Sequence, residues 1–231
     1  MRRVLVGLVF AGLFASLPAG LAAAEVHKGR LRILASGEVI GSERYEIAAT
    51  ATEINARGEI TLQIGDQRMH QTSNLLLTAD LAPRSYEWKL EEPEQRWLRL
   101  EFSGSQGTIR YPLAEGKEDK QVFDFGTTRV ALLDNNVFHH FLLLARLYDF
   151  SKGGPQAIQV FIPQSLQPGV VTAELKGVET QIVEGQLAPV RQLVITSEDN
   201  QVLLWVTESG RFVRLQAPQE NIEVVPERVA P

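Results

Sequence analysis

The chain has 231 residues, with 28 acidic against 23 basic side chains, four histidines and no cysteine. An acidic balance argues against nucleic acid and against anionic lipid headgroups as partners, since both select basic surfaces. The missing cysteine excludes disulfide staples, thiolate metal sites and the attachment residue of a bacterial lipoprotein.

Residues 1–24 read as a leader. Arg2 and Arg3 give it a positive start, Val4 to Leu17 form an apolar run, and Ala22-Ala23-Ala24 makes a small-residue cleavage site before Glu25. The run is shorter than the roughly 20 residues that span a bilayer, so cleavage is expected rather than a stable membrane anchor. The expected product, residues 25–231, carries 21 basic against 28 acidic side chains, because the leader removes only its two arginines. It is expected to be periplasmic and soluble, and a chain of this length can bury roughly 70% of its surface without staples.

From His27 onward the pattern is strand after strand. Leu31 and Ile33 alternate with Arg30 and Arg32; a turn region follows at 37–41; then Tyr45, Ile47, Ala49 and Ala51 alternate with polar neighbours. Asn55 to Gly58 is read as a turn into Ile60, Leu62 and Ile64. The runs 68–77, 85–90 and 96–102 continue the meander, with Tyr86, Trp88 and Leu90 on one side of theirs and a turn at 91–94. A hairpin over 108–125 and a run at 127–133 follow. One-sided strands of this kind suit an antiparallel sheet.

The stretch DNNVFHHFLLLARLYDFSKGGP, from Asp134 to Pro155, has the spacing of a helix, expected over about 136–150. Val137, Phe141, Leu144 and Tyr148 share one side, widened by Phe138, Leu142 and Ala145; His139 and Arg146 form a narrow polar strip. Asp134 to Asn136 are expected to cap its start, and Gly153-Gly154-Pro155 to stop it. Strands resume over 157–162, 170–175, 181–183, 190–196, 201–207, 212–216 and 222–225, the run Val202 to Val206 being apolar on both faces and so central. No Pro, Gly or Ser linker and no fixed-period repeat divides the chain, which is read as a single β-rich domain over 25–231. The expected fold class is mostly β, a large curved antiparallel sheet or half-barrel with the one main helix on its concave side.

This order of elements resembles the lipoprotein-carrier superfamily of the LolA and LolB type. The segments Gly37 to Tyr45, on a G-x-x-x-G-S-E-x-Y pattern, and Leu204 to Leu215, on L-W-V-T-x-x-G-R-x-V-R-L, are also similar to hairpins in a family of uncharacterised exported bacterial β-rich proteins. The resemblance implies a curved sheet half-enclosing helices around an apolar cavity, although this chain has one clear helix where the carriers have more.

Recognisable catalytic motifs are absent. Adjacent histidines at 139 and 140 point about 100° apart on a helix and cannot share one metal, and there is no HExxH. His140, between Leu144 and Leu147 on the wheel, reads as a buried or rim histidine satisfied by a hydrogen bond, and His139 as a surface residue. Gly104 to Gly107 has the wrong spacing for a nucleophile elbow, and Gly116-Lys117 lacks the glycine that a phosphate loop requires. Carboxylate pairs fall in turns. No catalytic residue, metal or cofactor is therefore assigned.

The remaining candidates are apolar. Phe138, Phe141, Leu144, Tyr148, Trp88 and Trp205, with His140 or Tyr148 as a polar contact at the mouth, could line a cavity for an acyl chain. The expected function is a non-enzymatic envelope protein that binds a hydrophobic ligand, a lipid or a lipidated protein. The alternative is a structural or assembly module that contacts another envelope protein and has no ligand cavity. An enzyme would need a cleft where His140 meets a carboxylate and a hydroxyl.

Overall fold

The computed structural model describes residues 25–92, 94–113 and 116–227; the expected leader at 1–24 and Pro93 of the expected 91–94 turn lie outside them. The strands are β1 (Glu25–Ala35), β2 (Glu38–Ala49), β3 (Glu53–Ile64), β4 (Gln67–Thr78), β5 (Pro83–Glu92), β6 (Arg96–Ser103), β7 (Gln106–Pro112), β8 (Glu118–Asp124), β9 (Ala131–Leu132), β10 (Gln156–Ile162), β11 (Gln167–Val183), β12 (Gln186–Thr196), β13 (Gln201–Thr207), β14 (Phe212–Ala217) and β15 (Ile222–Pro226). The helix α1 is His140–Leu147. Strands alternate one apolar and one polar side because successive side chains leave opposite faces, and the apolar set Leu31, Ile33, Tyr45, Ile47, Ile60, Leu62, Leu75 and Tyr86 is buried as that alternation requires.

All fifteen strands form one sheet, in the order β8-β7-β6-β5-β4-β3-β2-β1-β15-β14-β13-β12-β11-β10-β9. Neighbours are antiparallel except β9 with β10. Laid flat, fifteen strands would be roughly 65 Å across. Yet β8 and β9, at opposite ends of the order, are joined by residues 125–130 alone, a link that reaches about 25 Å at most. The sheet must therefore curl. Its two ends meet through aromatic rings rather than a hydrogen-bond ladder: Phe161 of β10 lies 4.8 Å from Phe123 of β8 and 5.3 Å from Phe125 between ring centroids.

The helix crosses the inside of this curl. At its start His139 stacks on Tyr45 of β2. Just past its end the Tyr148 hydroxyl accepts from the backbone N–H of Leu175 in β11, and Arg191 of β12 lies over the Phe150 ring. The mostly-β class, the curved sheet and the single enclosed helix are as expected.

Two local expectations are corrected. The helix covers 140–147, not 136–150, because the Phe138 and His139 N–H groups and the Asp134 carboxylate are bonded to Glu43 and Tyr86 of the sheet, and Tyr148 past the end is extended and tied to β11. The segment Asn55 to Gly58 lies inside β3 and makes no turn; the reversal comes at Thr50 to Thr52, where the Thr50 hydroxyl accepts from the N–H groups of Thr52 and Glu53. Gly58 is in a strand interior because anything larger would strike a histidine.

Candidate functional site

The inner face of β2 to β5 holds a buried polar cluster, and register explains its shape. One cross-strand row runs Gly29, Tyr45, Gly58, Ser73, Trp88, Leu98 from β1 to β6. Small residues at Gly58 and Ser73 leave a hollow in an otherwise filled row. The His139 ring occupies it, and a Cβ built on Gly58 would lie 2.7 Å from the ring's Cε1. Gly29 makes the same allowance for Tyr45, whose ring carbon would lie 2.5 Å from an added Cβ. Tyr45 and His139 then stack with planes 1° apart at 5.8 Å.

Glu43, two residues before Tyr45 and therefore on the same face, is wholly buried, as is His139. The Nδ1 of His139 is 2.6 Å from Oε1 of Glu43, and Oε2 accepts the backbone N–H of Phe138 at 3.0 Å and of His139 at 3.3 Å. A strand carboxylate thus caps the helix entry, where the positive end of the helix dipole favours an anion. The expected cap by Asp134 to Asn136 is absent: His139 is the N-cap residue and makes no side-chain cap bond.

Asp134 serves a second set of bonds. Its Oδ2 accepts from the Tyr86 hydroxyl at 2.7 Å, and its Oδ1 from the N–H of Gln164 and of Asn135. The Trp88 indole donates to Gln71 Oε1, and Gln71 Nε2 donates to the Asn135 carbonyl. Together these side chains staple the loop before α1 to β2, β4 and β5.

Burial dominates the electrostatics here. It pushes Asp134 up to about 6, against the opposing effect of its hydrogen bonds from Tyr86 and the loop. The Tyr45 phenol is raised to about 12 by burial and then by the Glu43 charge, and Tyr86 is raised well above its ordinary value by burial and by Asp134. His140 is held well below the usual imidazole range by burial and by neighbouring His139, and so stays neutral.

The candidate residues chosen from sequence fare unequally. Leu144, Tyr148, Trp88 and His140 are buried, and Phe138 and Phe141 are half-buried against the same core. Trp205 lies on the other face of the sheet from Leu204 and Val206, which point at the core, and it is covered by the Arg214 guanidinium 5.4 Å from its ring. The Tyr148 hydroxyl is spent on backbone, donating to the Gly154 carbonyl and accepting from Leu175. His140 is fully buried edge-on to Tyr86, with the Leu132 backbone as its polar neighbour. His139, expected at the surface, is the better-connected of the pair.

A void of about 10 Å³ beside His140, Leu143 and Leu147 is about the size of one water molecule. A groove of about 270 Å³ opens at the end of the β5–β6 hairpin, lined in part by Trp88, Leu90, Trp97 and Leu98. Phe141 and Tyr148 line neither. Among the described residues no group of three metal-ligating side chains converges, and no helix is long and apolar enough to cross a membrane. Histidine meets carboxylate at the surface in His70 with Glu59 and Glu91 and in His27 with Glu25; the buried pairing, Glu43 with His139, has Ser73 nearby with its hydroxyl unpartnered, yet both members are wholly buried.

No family model matches the chain, and no curated protein matches it. Among solved structures it is matched by the crystal structure of a DUF1089 family protein from Pseudomonas aeruginosa, with 14% identity and a TM-score of 0.42 over 92% of this chain and 96% of that one.

Proposed function

We propose that the protein is exported, loses residues 1–24 and acts in the periplasm, without catalysis, as a structural or assembly module that works by contact with protein. The observation that carries this reading is a hairpin arm. Residues 177–183 of β11 and 186–189 of β12 run on beyond the strands that flank them and present Val178, Ile182 and Leu187 at 54%, 74% and 74% exposure. Apolar side chains gathered on a projecting ribbon mark a contact surface, whereas the helix side of the sheet is occupied by its own core. A photo-reactive residue at Ile182, activated in intact cells, should yield a covalent adduct with protein. No adduct, together with an apolar molecule co-purifying in equal amount, would overturn the proposal.

A second reading, carriage of an apolar guest as the resemblance to the lipoprotein carriers implies, is favoured by the groove at Trp88 and Trp97, just under the size of usual ligand pockets. Native mass spectrometry of the gently purified protein tests it: a bound lipid mass lost on Trp88→Glu, with the circular dichroism unchanged, supports it.

A further inference from the structure

The arm also specifies its partner, on the assumption that the protein-contact reading is right. β11 pairs with β10 only over Gln167–Ala173, and β12 with β13 only from Val190 onward. Beyond those points the two strands ladder only with each other; the Leu175 N–H bonds the Tyr148 hydroxyl, and the Glu184 side chain at the tip accepts from Arg211. A lone two-stranded ribbon is marginally stable in water, and its unpaired edge is a template for another strand.

Which groups that edge offers follows from the turn. Glu184 and Gly185 have φ of 52° and 81°, a two-residue turn of the primed kind, whose flanking pair Val183 and Gln186 is a hydrogen-bonded one. Alternation makes Gln181–Ala188 and Glu179–Val190 hydrogen-bonded pairs too. Val178, Thr180 and Ile182 therefore direct their N–H and C=O groups off the free edge. Pro189, which has no N–H, stands opposite Thr180 at an outward-facing position, where none is needed within the ribbon.

We infer that the free edge of β11 pairs with the same edge of a second copy, antiparallel, about a twofold axis through Thr180. In that register Thr180 faces itself and Val178 faces Ile182 of the other copy, while Lys176, at the β-bulge, and Glu184, in the turn, keep their own partners Glu174 and Arg211. Apolar meets apolar, twice over, as an isologous interface requires. Centring the axis on Glu179 would instead set Ile182 against Lys176, and centring it on Gln181 would set Val178 against Glu184. Registers that place an even position opposite an odd one fail as well, because outward-facing groups would meet inward-facing ones. The apolar face, with Ile182 opposite Leu187 within each ribbon, becomes continuous across the axis.

The test uses protein recovered from the periplasm. Sedimentation across a concentration series should show the mass of two chains, and Thr180→Pro or Ile182→Lys should return it to one with circular dichroism and melting unchanged. Because the chain has no cysteine, Thr180→Cys gives a single thiol. A hydrogen-bonded pair sets α-carbons about 5.5 Å apart, within disulfide range, so mild oxidation should cross-link this variant and leave Glu198→Cys, in the β12–β13 turn, uncross-linked. A wild-type mass of one chain with no cross-link at Thr180→Cys overturns the inference. If Ile182 then cross-links to a different protein in cells, the contact reading survives its loss; if it cross-links to nothing, both fall.

Discussion

Glu43 and His139, ninety-six residues apart, meet at 2.6 Å with neither side chain exposed. The pair is the hinge between two halves of the fold, since the same carboxylate also holds the N–H groups through which the chain enters α1. Removing one member leaves the other polar and buried, which costs about 3–5 kcal/mol. Glu43→Ala should lose that much in urea unfolding followed by circular dichroism. Glu43→Gln, still able to accept from the Phe138 and His139 amides, should lose about 1–2 kcal/mol. Equal losses would show that the charge and the cap do not matter and only volume does.

Gly58→Ala and Gly29→Ala test the hollow in the row. In an open strand site alanine is more stable than glycine by about 0.5–1 kcal/mol. Here the added methyls meet the His139 and Tyr45 rings, so the sign reverses and each variant should be less stable by about 1–3 kcal/mol. The near-ultraviolet dichroism of Tyr45 should change with either.

These residues show what the sequence displayed and what it hid. Period-two alternation made the strands and the curled antiparallel sheet legible, because burial on one face imposes that pattern directly. The same alternation, carried back in steps of two from Tyr45 and from Leu75, places Glu43, Ser73 and Gln71 on the apolar face, and a polar residue there is the sign of a buried network. Gly58 misled because glycine in a strand and glycine in a turn look alike until the ring it accommodates is known. The helix read too long for a related reason: apolar periodicity continues through Val137 and Tyr148, but the backbone around them is held by Glu43, Asp134 and β11, partners that are remote in sequence.

Asp134 makes stability depend on pH. Its folded value, about 6, is above its ordinary 3.8, so between those values the folded state holds a proton that the unfolded chain has released. Stability from this group is therefore full below about pH 4 and falls as pH rises to about 6, by on the order of 3 kcal/mol. Asp134→Asn, which never ionises, should lose that slope. Urea midpoints of the two proteins measured from pH 4 to 7 should converge or cross as pH rises; parallel curves would mean that Asp134 titrates normally when folded.

The seam of the curled sheet is the remaining weak line. Phe161 is fully buried against Phe123 and Phe125, and through these rings the β8 end of the sheet meets the β9–β10 end without a ladder between them. Phe161→Ala removes a large side chain from a packed site, at about 3–5 kcal/mol. A core truncation elsewhere would lower protection evenly, whereas this one should act where the rings alone hold the edges together. Hydrogen exchange should then show β8 and β9 losing protection first, while β2 to β4, paired on both sides and stapled by Glu43 to the helix entry and by Gln71 to the loop before it, keep theirs. Uniform loss across the sheet would mean that the ends are held by something other than the aromatic contact.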